Sequence, residues 1–254
     1  MHALLFDDTK CIGCGSCMAA CREQNRLPET DAPDLSDKQF TVLKKTTGKQ
    51  GEVNYRRLCM HCQEPTCASV CPVGALHKTA SGPVVYNASI CLGCRYCIQA
   101  CPFSVPRYEW SSLNPRVRKC TFCADRLAAG SINACAEACP TGATLAGERG
   151  ALLKEARSRL AAEPDKYIRK IYGEHDAGGT SVLMLSSVPF SQLGLPDNLP
   201  AEPLPALTFR ALSKIPTFVF GGSFTLAGLW WLTNRKAEVA RAEGGGAPRG
   251  GGRR

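Results

Sequence analysis

CIGCGSCMAAC, residues 11–21, sets four cysteines in the spacing C-x2-C-x2-C-x3-C, as Cys11, Cys14, Cys17 and Cys21. The spacing returns at Cys91, Cys94, Cys97 and Cys101, there followed by Pro102. Two looser quartets accompany them: Cys59, Cys62, Cys67 and Cys71 with an x4 gap before Pro72, and Cys120, Cys123, Cys135 and Cys139 with an x11 gap before Pro140. The quartets use all sixteen cysteines. This spacing reads as ligation of four [4Fe-4S] clusters. Three thiolates close in sequence wrap three irons of a cubane, while a fourth, displaced beyond a short loop, reaches a neighbouring cluster, so that clusters come in pairs.

Other uses of cysteine fit less well. Disulfide scaffolds are small secreted chains and do not repeat C-x2-C with a trailing Cys-Pro. Zinc takes C-x2-C pairs well separated in sequence rather than four cysteines within eleven residues. Haem attachment needs C-x-x-C-H, and here His61 lies inside the Cys59–Cys62 gap. A fully thiolate-ligated iron has no open site for substrate, so the chain is expected to carry electrons and to hold no catalytic residue. Gly13, Gly15 and Gly93 let the backbone approach the sulfurs and aim N–H groups at an anionic cluster.

In a chain of 254 residues with sixteen ligating thiols, much of the interior is expected to be inorganic, so that metal loading is part of folding. The net charge of +9 sits largely beside the motifs: Arg56 and Arg57 precede Cys59, Arg95 follows Cys94, and Arg118 and Lys119 precede Cys120. These cations are read as offsetting cluster charge or meeting a partner, and nucleic acid is not an expected ligand. The N-terminus MHALLFDD shows no basic stretch followed by an apolar region, so export is expected to depend on a partner's signal.

The expected fold is α+β, a ferredoxin-like module over residues 1–149 with two pseudo-symmetric halves and a polar insertion at about 28–49. Strands are expected at Gln39–Leu43, Gly82–Tyr86 and Ser181–Leu185, and an amphipathic helix at Glu148–Leu160. Residues 150–214 read as an extension packing on partner subunits. His175, alone in a loop, reads as a surface group. The uncharged run PTFVFGGSFTLAGLWWLT, eighteen residues from Pro216 to Thr233, would make a helix of about 27 Å, near the roughly 30 Å hydrocarbon core. A transmembrane helix is therefore expected over 215–234, with Trp230 and Trp231 in the interfacial belt and Ser223 with Ala227 on a face for a neighbouring helix. A disordered basic tail is expected over 235–254. That tail holds six Lys/Arg against two acids, which places the C-terminus in the cytoplasm and the cluster body in the periplasm of a single-pass inner-membrane protein.

All four quartets resemble those of the four-cluster electron-transfer subunits that accompany molybdopterin oxidoreductases and some hydrogenases, and the resemblance covers nearly the whole chain. DLSDK at 34–38 is similar to the β-subunit of respiratory formate dehydrogenase; Tyr172-Gly173-Glu174 and Val188-Pro189-Phe190 are similar to the iron-sulfur subunit of hydrogenase-2-type enzymes. The formate dehydrogenase type is the expected one, since the hydrogenase type usually carries an export signal. The resemblance implies that Cys11, Cys14 and Cys17 share a cluster with Cys139, and Cys120, Cys123 and Cys135 one with Cys21. It likewise joins Cys59, Cys62 and Cys67 to Cys101, and Cys91, Cys94 and Cys97 to Cys71. It further implies a path from a catalytic large subunit to a membrane cytochrome b or quinone-reactive subunit. Cys21 departs from the pattern, with Arg22 in place of proline. A soluble polyferredoxin is the alternative that would need no anchor.

Overall fold

Ala3, Leu4, Leu5 and Phe6 are all buried, and they alternate between two cores. They lie on β1 (His2–Asp7), whose period-2 side chains send Leu4 and Phe6 into the larger core and Ala3 and Leu5 into a second one. The computed structural model describes residues 1–49 and 51–244. They divide into two units, the first Met1–Ala206 and the second beginning at Leu207.

After β1 the first quartet enters α1 (Ser16–Gln24), which carries Cys17 and Cys21. A hairpin follows, β2 (Thr41–Gly48) and β3 (Gly51–Leu58), with Thr41 opposite Leu58 and Gly48 opposite Gly51. The expected insertion thus ends in a strand that is one arm of this hairpin. The short helix α2 (Thr66–Ser69) carries Cys67, and β4 (Leu76–Lys78) pairs with β5 (Val84–Tyr86). Then come α3 (Tyr96–Gln99) with Cys97, the two-residue strands β6 (Arg107–Tyr108) and β7 (Val117–Arg118), α4 (Ala124–Ala128), and α5 (Ala134–Glu137) with Cys135.

The chain then returns to β1. Strand β8 (Thr144–Glu148) pairs antiparallel with one edge, and after α6 (Arg149–Ala162) strand β9 (Val182–Leu185) pairs parallel with the other. The sheet order is β8-β1-β9. On α6, Leu152 and Ala156 share a face and pack with Ala3, Leu5, Leu183 and Leu185. Polar ties reinforce the closure: Arg159 and Tyr167 donate to Asp7 Oδ2 at 2.8 and 3.0 Å, and the Ser186 hydroxyl donates to Asp8 Oδ2 at 2.6 Å.

Two expectations are corrected here. No boundary falls at residue 149, because β9 completes the N-terminal sheet and residues 150–206 belong to the first unit. Most of the stretch read as an extension, 150–214, is thus part of the first unit. Helix α7 (Leu204–Leu212) runs across the division into the second unit and precedes α8 (Ile215–Gly244), whose first turn accommodates Pro216. The helix does not stop at residue 234. Alternating helix formers and an Arg235–Glu238 pair at 3.7 Å continue it through Gly244, so the expected disordered tail is helical over 235–244, and 245–254 lie outside the described residues. Phe218, Phe220, Phe224, Leu226, Trp230 and Trp231 are all exposed on it. It is long and apolar enough to cross a membrane.

Candidate metal centres

The first C-x2-C loop of each quartet turns at the residue before its second cysteine, where Gly13 (φ 71°), His61 (φ 47°), Gly93 (φ 71°) and Phe122 (φ 57°) all take the left-handed conformation. The two glycines are closed over by neighbours. A Cβ on Gly13 would meet Asn54 Oδ1 at 2.7 Å, and one on Gly93 the Tyr108 hydroxyl at 2.8 Å, so a side chain at either would have to displace its neighbour and would be strained at this φ. His61 and Phe122 carry side chains into a conformation that costs roughly 1–2 kcal/mol, and packing offsets it. Their rings stack on each other with centroids 4.5 Å apart, both buried. Val84 N–H donates to His61 Nδ1 at 2.9 Å, and Asn133 Nδ2 donates to the Phe122 carbonyl at 2.7 Å. The Cys59–Cys62 and Cys120–Cys123 loops therefore meet through these rings. A search for glycines misses both turns.

The Cys-Pro exits repeat as well. Three residues after Cys71, Cys101 and Cys139 the chain again turns left-handed, at Gly74, Ser104 and Gly142. Backbone N–H groups then point back at sulfur: Ala75 to Cys71 at 3.2 Å and Thr144 to Cys139 at 3.4 Å, as Gly93 and Phe122 do to Cys91 and Cys120 within the loops. Burial pushes the Cys71 and Cys139 thiols up, but the surrounding donors outweigh it and their pKa values fall. At Cys101 burial wins over a similar ring of donors, and the pKa rises. Cys21 has no such exit. With Arg22 in place of proline, α1 simply continues to Gln24, and Asn25 Nδ2 donates to the Cys21 carbonyl at 2.8 Å.

None of the sixteen cysteines is in a disulfide. Burial raises most of them, Cys21 and Cys67 to about 12 and Cys97 to about 11. After burial, the thiols act on one another in sets that cross the sequence. Cys11 feels Cys139 and Cys14, and Cys17 feels Cys135, Cys11 and Cys139. Cys21 feels Cys135 and Cys123, and then Cys17. Cys62 feels Cys59, Cys101 and Cys67, and Cys97 feels Cys91, Cys94 and Cys71. Cys120 feels both Cys21 and Cys59. Among the described residues no three Cys, His, Asp or Glu side chains converge on a single ion. A cubane, whose irons take one thiolate each, asks for sulfurs further apart, and an all-thiol donor set ringed by N–H groups fits it.

The cations beside the motifs do not all face their sequence neighbours. Arg56 precedes Cys59, yet its surroundings are Cys135, Cys17 and Cys21. Arg118 pairs with Glu109 at 3.0 Å. Lys119 is buried and donates to the Val84 and Cys120 carbonyls. Lys78 was not legible as a site residue: its Nζ donates to the carbonyls of His61 at 3.1 Å and Cys62 at 2.8 Å, and burial lowers its pKa to about 8. His175 is exposed beside Glu174, a surface group.

Residues 10–75 and 53–149 each match a family model described as a 4Fe-4S dicluster domain. The chain is 35% identical to the iron-sulfur subunit of nitrate-inducible formate dehydrogenase from Escherichia coli K12, over 89% of this chain and 82% of that one. It is 37% identical to the iron-sulfur subunit of formate dehydrogenase-O from the same organism, over 77% and 71%. Hydrogenase-2 operon protein HybA of Escherichia coli O157:H7 is 34% identical over 76% and 72%. The chain belongs to the family of iron-sulfur electron-transfer subunits. It binds 4Fe-4S clusters and carries electrons, and its long apolar helix is consistent with a single-pass anchor.

Proposed function

We propose that this electron-transfer subunit holds four [4Fe-4S] clusters in two pseudo-symmetric pairs and links a formate dehydrogenase-type catalytic subunit to a membrane cytochrome b or quinone-reactive subunit. The crosswise gathering of the thiols carries the reading. It supports one set of Cys11, Cys14, Cys17 and Cys139 beside another of Cys120, Cys123, Cys135 and Cys21. It supports equally Cys59, Cys62, Cys67 and Cys101 beside Cys91, Cys94, Cys97 and Cys71. Each thiolate supplied by the chain fixes one iron, and the bound clusters supply one-electron carriers.

The chain's own contacts also favour an order. Cys14 and Cys94 are exposed, whereas Cys123 is buried and Cys62 half-buried, and the His61–Phe122 stack joins the loops of the latter two. The first and third quartets' loops then stand at the two ends, open to partners, with the other two between them. Formate dehydrogenase is favoured over hydrogenase by DLSDK at 34–38 and by the 89% of the chain that the nitrate-inducible iron-sulfur subunit matches, while formate dehydrogenase-O and HybA match 77% and 76%. Anaerobic analysis should return about sixteen iron and sixteen sulfide per chain, four of each per cubane. About eight iron, or stoichiometric zinc, would overturn the four-cluster reading.

Cys139→Ala should disturb the cluster of Cys11, Cys14 and Cys17 more than that of its own quartet, seen by EPR against Cys11→Ala. Loss of the Cys120 cluster instead would make the pairing local. We also place the cluster body in the periplasm, supported by the basic excess after the apolar run. A reporter fused after Arg254 should then behave as cytoplasmic, and a periplasm-active one would reverse the orientation. Co-purification of the large subunit identifies the donor: a nickel-containing partner in place of a molybdopterin one would favour the hydrogenase type.

A further inference from the structure

Arg56 is among the largest fully buried side chains, 2% exposed, on β3 opposite Leu43. A buried guanidinium is costly unless anions and acceptors surround it. Its acceptors are two threonines: Nε donates to Thr41 Oγ1 at 2.7 Å and Nη1 to Thr144 Oγ1 at 3.3 Å. Thr144 in turn donates its backbone N–H to Cys139 Sγ at 3.4 Å, which ties the guanidinium to the exit of the fourth quartet. Burial opposes its charge, and the thiols of Cys135, Cys17 and Cys21 favour it. Cys17 lies in the first proposed set and Cys21 with Cys135 in the second, so one charge serves both.

The other half differs. Lys78 and Lys119 there hold their Nζ groups against carbonyl oxygens of His61, Cys62, Val84 and Cys120. Arginine keeps its charge at any physiological pH, and the two threonines hold it in one place. Adding one electron to a thiolate-ligated cubane adds one negative charge with no bond made or broken, and a fixed cation nearby stabilises that form. We propose that Arg56 is a fixed positive charge shared by the first pair of cluster sites, which raises the reduction potential of both above what their thiolates alone would set. It is a positioning and tuning residue for electron flow, and the proposal rests on the ligand sets given above.

The test is an EPR-monitored anaerobic redox titration of the full chain in its native complex. In Arg56→Gln, two of the four midpoints should fall by at least about 59 mV, a tenfold change for a one-electron couple. They should be the one that Cys139→Ala disturbs and the one that Cys21→Ala disturbs, the two members of the first proposed pair. Arg56→Lys should restore at least half of the shift. Should Arg56→Gln fail to assemble, Thr41→Asp leaves the guanidinium in place and sets a carboxylate beside Nε; it should lower the same two midpoints. Full iron with unmoved midpoints in either variant, or four midpoints moving together, overturns the proposal. So does loss of iron from both, which would make Arg56 a structural brace. Fewer than sixteen iron in the unsubstituted chain would instead sink the underlying ligand sets.

Discussion

Deleting residues 215–254 is expected to move the chain wholly into the soluble fraction and abolish electron delivery to quinone, while its iron stays in place. All sixteen cysteines lie within the first unit, and the apolar helix lies in the second. Each Phe, Leu or Val of the span contributes only about 0.3–0.6 kcal/mol to insertion, so single apolar substitutions should change little. A charge at the centre is different. Leu226→Arg costs about 2.5–3.5 kcal/mol and should reproduce part of the loss. Cell fractionation with parallel dye and quinone assays checks this. A truncated chain that remains membrane-bound and quinone-active would show that the helix is not the required anchor.

Anaerobic chelation of iron should unfold the first unit rather than leave a native apo form. Structural metal sites contribute about 10 kcal/mol or more where the apo chain is unfolded, against a net domain stability of about 5–15 kcal/mol. The loss of one site is therefore comparable to the whole margin. Cys17, Cys59, Cys135 and Phe122 belong to one core cluster with Leu4, Phe6 and Val182, so emptying the sites opens cavities in the same interior that holds β1. Thiols that burial raises to about 11 or 12 also add a pH dependence to any residual apo fold. Their contribution is fully present below about 9 and is lost as pH rises through the folded values. Far-UV circular dichroism before and after chelation, at pH 7.5 and 10, reads both effects. Retained native ellipticity at pH 7.5 would contradict the cofactor-dependent fold.

The cysteine spacing made the centres legible because iron ligation demands near neighbours in sequence, and the helix of Glu148–Leu160 was legible from the period of Leu152, Leu153, Ala156 and Leu160. What escaped was non-local. Nothing in Val182–Leu185 announces that it pairs with the first strand, since a fully buried strand shows no alternation. The left-handed turns at His61 and Phe122 escaped because each is held by the other, a contact between residues that are remote in the chain. Arg56 was read by its neighbour Cys59, but on a strand successive side chains face opposite sides, and its own side leads to Cys17 and Cys135. The helical continuation past Thr233 escaped because the change of composition there marks where apolar side chains end, not where backbone hydrogen bonding does.

The parallel pairing of β1 with β9 also bears on biogenesis. During synthesis β1 waits about 140 residues for β8 and about 180 for β9, the latter roughly 10–40 s at ordinary rates. Until β9 arrives one backbone edge of β1 lacks its partner, close to the first quartet. Scaffold-bound clusters delivered to that quartet early would enter a half-built site. Assembly of this subunit is thus expected to favour late, post-translational loading, once β9 has closed the sheet.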